Sequence, residues 1–188
     1  NPGIAEGDMF LANDPWVGAA HQMDVMLLCP VFWKGELFCW VTNCLHQYDI
    51  GGITPGSFCG SAENAYEEGI CLPPIKIVEG NEIRRDIEEA YLRASRKPDA
   101  VALAFRAQLA GNMTARDRIL RLIKRYGPEV VKGVMKRILD TSERAFLDKL
   151  KRLPIKNWLH VALTVHTPSS DGFGMHGSGM FIINPPWT

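Results

Sequence analysis

Two apolar runs joined by a turn-forming tetrapeptide constrain this chain more than any other feature. Val25–Phe32 and Leu37–Leu45 have strand-like length and are rich in apolar, β-branched and aromatic residues. Between them, Trp33-Lys34-Gly35-Glu36 offers glycine in a tight turn, where positive φ carries no steric penalty. The runs are therefore expected to pair as an antiparallel hairpin. Pro30 cannot donate a ladder hydrogen bond and should lie at an edge or a bulge.

Around the hairpin the chain falls into three zones. Gly7 to about Val78 is rich in glycine, proline, aromatics and cysteine, with short apolar runs that read as strands and ordered loops. From about Ile83 to Leu153 the apolar spacing is helical, and from about Ile155 strands return with a glycine-rich loop. The expected class is α+β: a β-hairpin-rich N-terminal zone packed on a helical segment, with a short β C-terminal tail.

The helical zone is expected to hold about four helices. The first follows Ile83, Ile87, Ala90, Tyr91 and Ala94. The second opens at Pro98-Asp99 and is interrupted or ended at Gly111-Asn112. The third carries Ile119, Leu122 and Ile123 and stops at Tyr126-Gly127, with glycine at C′. Pro128 suits the first turn of the fourth, whose face is Val131, Val134, Met135 and Ile138. That stripe should be core, so an aspartate at Val134 would bury an unpaired carboxylate. The Arg and Lys residues crowded from Arg116 to Lys156 read as a solvated face, with a phosphate- or RNA-binding patch as the lesser reading.

With 188 residues, 46% of them hydrophobic, and Lys+Arg equal to Asp+Glu, the chain suits one globular domain or two. Zero net charge gives no overall reason to expect nucleic acid or an anionic membrane as partner. The sequence shows neither an apolar run of membrane-spanning length nor the start of a signal peptide, so a cytoplasmic location is expected. The cysteines are Cys29, Cys39, Cys44, Cys59 and Cys71, without a C-x-x-C pair. They read as buried reduced thiols, with a catalytic or metal-binding thiol as the lesser alternative. Neither Asn1 nor Thr188 resembles a natural terminus, so a fragment of a larger subunit is expected.

Two segments carry the chemistry. Gly18-Ala19-Ala20-His21-Gln22-Met23-Asp24 and Asn43-Cys44-Leu45-His46-Gln47-Tyr48-Asp49-Ile50-Gly51-Gly52 each set a histidine near a carboxylate. Imidazole nitrogen and carboxylate oxygen are ligands for a borderline-to-hard divalent ion. If Lys34-Gly35 form a two-residue turn, Trp33 faces Glu36, and counting outward sets Asp24 opposite Leu45 and Met23 opposite His46. Strict alternation would then turn Asp24 and His46 to opposite faces, so a bulge or irregularity at the open end is required. On spacing alone two readings stand: a metal site, or two unrelated histidines hydrogen-bonded at strand ends.

The blocks Gly7-Asp8-Met9-Phe10-Leu11-Ala12-Asn13-Asp14-Pro15, Gly18 to Asp24 and Asn43 to Gly52 resemble consecutive signatures of the hydantoinase B family. Thr54-Pro55-Gly56, Glu67-Glu68-Gly69-Ile70-Cys71-Leu72-Pro73-Pro74-Ile75-Lys76, Arg106-Ala107-Gln108 and Tyr126-Gly127 continue the resemblance in order, to about Leu153. Many members have two adjacent histidines where this chain has His46-Gln47. His-Gln-Tyr-Asp-Ile-Gly-Gly, preceded by His-Gln-Met-Asp, is similar instead to acetone carboxylase alpha subunits. That resemblance implies a metal ion on His21, Asp24 and His46, with manganese favoured and zinc or iron the alternatives. It makes Asp49, and less so Asp14, candidates to orient a metal-bound histidine.

The resemblance also implies ATP-dependent carboxylation of a small ketone with bicarbonate, in a hetero-oligomer with carboxylase partner subunits. The metal would polarise an oxyanion or enolate-like intermediate. With no P-loop pattern in the chain, ATP would be used by a partner subunit. The alternative is an ATP-dependent hydantoinase- or oxoprolinase-type hydrolase of cyclic amides.

Residues 155–188 are expected to be a β tail of different origin from 1–154. Asn157–Val165 and Ser178–Trp187 read as strands. Gly177-Ser178-Gly179-Met180 running into Asn184-Pro185-Pro186-Trp187 resembles the C-terminal part of a large-subunit ribosomal RNA adenine-N6 methyltransferase. A methyltransferase-related RNA-binding piece is therefore a rival reading. It lacks that family's earlier Asp-Pro-Pro-Tyr and its S-adenosylmethionine loop, so methyl transfer is not expected. Gly172-Phe173-Gly174-Met175-His176-Gly177 fits G-x-G-x-x-G but precedes a strand, which suits a hairpin loop rather than a phosphate cradle. His160, His166 and His176 have no partners at ligand spacing and read as structural or exposed.

Overall fold

The computed structural model describes residues 3–152, 158–164 and 177–183. Met9–Ala12 (β1), Asp24–Trp33 (β2), Glu36–His46 (β3), Ile75–Glu79 (β4) and Glu82–Ile83 (β5) form an antiparallel sheet in the order β3-β2-β1-β4-β5. A single turn, Ala65–Glu68 (α1), lies in the long β3–β4 connection. Arg85–Arg93 (α2), Pro98–Tyr126 (α3) and Pro128–Lys151 (α4) follow, then Trp158–Thr164 (β6) and Gly177–Ile183 (β7). The fold is α+β, with its N-terminal β-rich region packed against helices.

The hairpin forms as its residues dictate. Lys34 and Gly35 make the two-residue turn with φ of 54° and 84°. Both residues are in the left-handed region, as a type I′ turn requires, although only Gly35 adopts it without a Cβ penalty. Pro30 pairs with Trp40 in regular register, beyond the β2 residues that pair with β1 and just before a register shift at Val31/Phe32. Its missing N–H therefore leaves no gap against β1.

Alternation along β2 divides the sheet into two faces. Val25, Leu27, Cys29 and Val31 are fully buried, whereas Asp24, Met26 and Leu28 are only partly so. The buried face forms the core with Met9 and Leu11 of β1, Ile77 of β4, Tyr91 of α2, and Val101, Phe105 and Leu109 of α3. On the other face Phe10 meets Trp40 edge to face at 6.1 Å.

Helix α3 differs from the sequence expectation. It runs 29 residues without a break at Gly111-Asn112. Asn112 is buried because its side chain donates to Leu27 O at 2.8 Å. One turn earlier Gln108 donates to Val25 O at 2.8 Å. Asn43 of β3 donates in return to Asn112 Oδ1 and Gln108 O. The low helix propensity of asparagine is overridden by docking onto the sheet. Pro98 opens α3 and Gly127, at φ +83°, ends it, while Ile83 belongs to β5 rather than to α2. Buried Glu88 of α2 is reached by Arg85 and by Arg106 of α3, which ties the two helices together.

The chain divides into two compact units, Asn1–Val131 and Lys132–Thr188. The first contains the sheet and α1 to α3. In the second, β6 and β7 pair antiparallel from Trp158↔Ile183 to Thr164↔Gly177. His160 lies in β6 opposite Phe181. His166, the Gly172-to-His176 loop, His176 itself and Asn184-Pro185-Pro186-Trp187 lie outside the described residues.

The α4 stripe is not the core that its spacing suggested. Val131 is buried, but Val134 is 38% and Ile138 59% exposed. Amphipathic spacing marks a face able to pack and does not supply the surface that covers it. Among the described residues no helix is long and apolar enough to cross a membrane.

In urea denaturation, Phe105→Ala should lose about 3–5 kcal/mol, because it empties the centre of the core. Val134→Asp should change stability by less than about 1 kcal/mol. A loss from Val134→Asp as large as that from Phe105→Ala would put the α4 stripe in the core after all.

Candidate metal centre

One extra residue in β3 determines which side chains meet. From the turn outward Trp33 pairs with Glu36 and Phe32 with Leu37, but Val31 then pairs with Cys39, leaving Phe38 as the bulged residue. Every later pair moves by one, so Asp24 stands opposite His46 instead of Leu45. Cross-strand partners share a face. Both residues therefore project from the sheet face opposite α3, while Asn43, three residues before His46, turns inward to the helix. The correction that the hairpin needed lies beside the turn, not at the open end where the side chains converge.

His21 reaches the pair through a turn. Asp24 N–H donates to His21 O at 3.0 Å, and Met23 O accepts from both Val25 and Gln47 N–H, closing the open end of the hairpin. His21 Nε2 lies 3.2 Å from Asp24 Oδ2, and the His21 and His46 ring centroids are 5.0 Å apart. One donor atom from each of His21, Asp24 and His46 lies within 4.8 Å of the others. Two imidazoles and a carboxylate suit a divalent ion of borderline-to-hard character. Ligands about 2 Å from a shared ion stand roughly 3–3.5 Å apart, so the observed spread is slightly wide but fits the group. His21 is 44% exposed and Asp24 21%, which leaves the cluster open to solvent.

The cluster borders a cavity of about 250 Å³ lined by His21, Met23, His46, Gly51, Thr54, Gly56, Phe58, Cys59 and Glu68. The rest of its lining comes largely from segments 51–59 and 67–69, which backbone contacts fix. Ile53 N–H donates to Glu67 O at 2.9 Å and Ile70 N–H to Ile50 O at 3.0 Å. Gly52 and Gly69 have φ of +81° and +128°, and a Cβ on either would stand 2.6 Å from a carbonyl oxygen of the facing segment. Only glycine permits this approach.

Buried amides join that lining to the ligand turn. Asn13, fully buried, donates to Gln22 O at 2.7 Å and to Ile70 O at 2.8 Å, and accepts from Leu72 N–H at 2.6 Å. Gln22 donates to Gly69 O at 3.2 Å. The residues flanking His21 are thus bonded to those flanking Glu68.

Asp49 has a different set of partners from a ligand-orienting carboxylate. Its oxygens accept from Gly51, Gly56 and Arg96 N–H and from the Arg96 guanidinium, at 2.8 to 3.1 Å. Asp14 accepts from Trp16 N–H at 2.8 Å and caps the 3-10 turn Pro15–Val17. Among the described residues neither bonds to His21 or His46.

Residue spacing assigns no role to Asn13, Gln22, Thr54, Cys59 or Glu68. Their blocks are visible in the sequence, but the contacts join residues up to 59 positions apart. The thiols also divide. Cys29 and Cys39 are buried, and burial pushes Cys39 up to about 11. Cys44 and Cys71 are exposed, and Cys59 lines the cavity, where hydrogen bonding with Thr54 lowers its pKa.

Residues 1–175 match the model of the Hydantoinase B/oxoprolinase family. The chain is 33% identical over 156 residues to a putative D-/L-hydantoinase subunit from a Pseudomonas species, covering 82% of this chain and 26% of that protein. The crystal structure of ATP-dependent caprolactamase from Pseudomonas jessenii superposes with a TM-score of 0.73 and 26% identity, over 97% of this chain and 33% of that one. The nucleotide-free structure of acetone carboxylase gives 0.65 and 28%, over 68% of this chain and 17% of that one. The chain spans about a quarter of the length of the curated relatives it matches. The family match continues past Pro154, where the sequence blocks run out, and there is no basis for a ribosomal RNA methyltransferase link.

Burial alone would raise the Asp49 pKa, but the Arg96, Gly56 and Gly51 hydrogen bonds outweigh it and hold the carboxyl at about 2. The unfolded value is about 3.9, so this stabilisation is complete above that pH and is lost as pH falls towards 2. Asp49→Asn should therefore cost about 2 kcal/mol at pH 7, with the difference from wild type narrowing below about pH 4. Urea denaturation of both proteins across that range checks it. A pH-independent difference would remove the charge from the explanation.

Proposed function

The chain belongs to the Hydantoinase B/oxoprolinase family, and on that premise we propose that it is the metal-binding segment of an ATP-dependent cyclic-amide hydrolase. The superposition of ATP-dependent caprolactamase over 97% of the chain carries this reading. The 33% identity to a putative hydantoinase subunit supports it, whereas the acetone carboxylase structure covers 68% of the chain.

In this proposal His21, Asp24 and His46 hold one divalent ion, manganese by the sequence resemblance and zinc or iron by donor type alone. Bound there, the ion supplies Lewis-acid polarisation of a carbonyl or oxyanion. The half-exposed ligands leave room for an amide oxygen beside it, and the cavity receives the ring. The fixed wall from Gly51 to Glu68 orients the substrate, and Phe58 supplies apolar surface at the rim. ATP is consumed on a partner subunit of a hetero-oligomer in the cytoplasm.

A second reading is carboxylation of a small ketone, favoured by the segment His46-Gln47-Tyr48-Asp49-Ile50-Gly51-Gly52. The same ligands would then position bicarbonate or an enolate, giving a β-keto acid. In the structure Gln47 is buried and donates to Leu45 O at 3.3 Å. It acts in packing at the hairpin end, so its identity does not select between the reactions.

The native assembly containing the full-length subunit should hold one divalent ion at this site and open hydantoin, 5-oxoproline or caprolactam with ATP. His46→Ala should lose the ion and the activity while its circular dichroism stays unchanged. Full metal content in His46→Ala, measured by elemental analysis, would overturn the site. Turnover of acetone and bicarbonate, with none of the amides opened, would select the second reading.

A further inference from the structure

We propose that Glu68 is the proton-transferring carboxylate of this site, acting on a cyclic amide bound between it and the His21/Asp24/His46 cluster. The assignment rests on the hydrolase reading above and adds to it a residue and a role.

Three observations single out Glu68. It lines the same cavity as His21 and His46. The residue is half-buried, and its carboxylate makes no hydrogen bond or ion pair among the described residues. The nearby carboxylates are already committed: Asp49 to four donors, Asp24 to His21, and Glu67 to Glu63 N–H and Asn64 at 2.9 and 2.8 Å.

The backbone around Glu68 is also unusually constrained. Glu67 O is held by Ile53, Gly69 O by Gln22, and Ile70 by both Ile50 and Asn13, while glycine is required at Gly52 and Gly69. This network fixes Glu68 relative to the turn that carries His21. Such fixity suits a group that must meet a reacting atom at hydrogen-bond distance.

Atoms and electrons balance within the hydrolytic step itself, and ATP is turned over separately, on the partner subunit of the proposed assembly. Water adds to the amide carbon, and Glu68 takes one of its protons. The C–N bond then breaks, with its electron pair going to nitrogen, and Glu68 returns the proton to that nitrogen. The product is the ring-opened amino acid. The other titratable groups lining the cavity are His21 and His46, held as ligands, and Cys59.

The test uses the full-length protein in its native assembly, saturated with manganese, and the cyclic amide that wild type opens fastest. Glu68→Gln should lower kcat by about 100-fold or more and leave KM and metal content unchanged. Glu68→Asp should recover part of the rate. Wild-type kcat in Glu68→Gln would overturn the assignment alone. Loss of the ion in Glu68→Gln would make Glu68 a ligand and overturn it as well. A wild-type assembly that opens no cyclic amide would overturn the hydrolase reading and this assignment together.

Discussion

The candidate centre depends on the register of a single hairpin. The side-chain period of a strand is two, so a one-residue slip exchanges its faces. In β3 the bulge at Phe38 makes that exchange. It sends Cys39, Val41 and Asn43 toward the core and α3, and turns His46 to the side of Asp24. The same residue count thus serves packing and site assembly together. A hairpin paired regularly from the Lys34-Gly35 turn would direct both His46 and Asn43 to the wrong face.

With the hairpin fixed, the remaining problem is to hold irregular backbone around an open cluster without leaving buried polar groups unpaired. Buried carboxamides solve much of it. Asn13 satisfies two carbonyls and one amide from segments far apart in sequence, and Gln108 and Asn112 do the equivalent between helix and sheet. Asp49 and Arg96 fasten the loop after β3 to the α2–α3 junction. The result is a braced cavity lining beside the half-exposed candidate ligands. The three donor types suit either hydrolysis or carboxylation, so they do not by themselves choose between the chemistries.

Much of this was legible from residues. Glycine at the hairpin turn, proline opening α3 and α4, and glycine closing α3 are local signals whose cause lies within a few residues. Donor chemistry and the convergence of two segments at one end of a hairpin left a metal site open, and the family resemblance implied His21, Asp24 and His46 as its candidate ligands. Gly111-Asn112 was misleading, because a break inferred from local propensity was overridden by side-chain bonds to β2 and β3. The α4 stripe was misleading in the opposite sense, since its periodicity described a face but not a partner for it. The segments Gly177–Met180 and Asn184–Trp187 are short motifs, and there is no basis for the methyltransferase relation they suggested.

By itself, then, the sequence determined the element types, the two-residue turn, and the donor set able to bind a divalent ion. These depend on backbone preference and side-chain chemistry, which act locally. Only the tertiary structure decided that the bulge falls at Phe38, that Asp49 serves Arg96 and the loop amides, and that Glu68 lines the same cavity as the histidines. Each of those outcomes arises from which distant segments satisfy one another's buried hydrogen bonds, and that matching is not written at any one position along the chain.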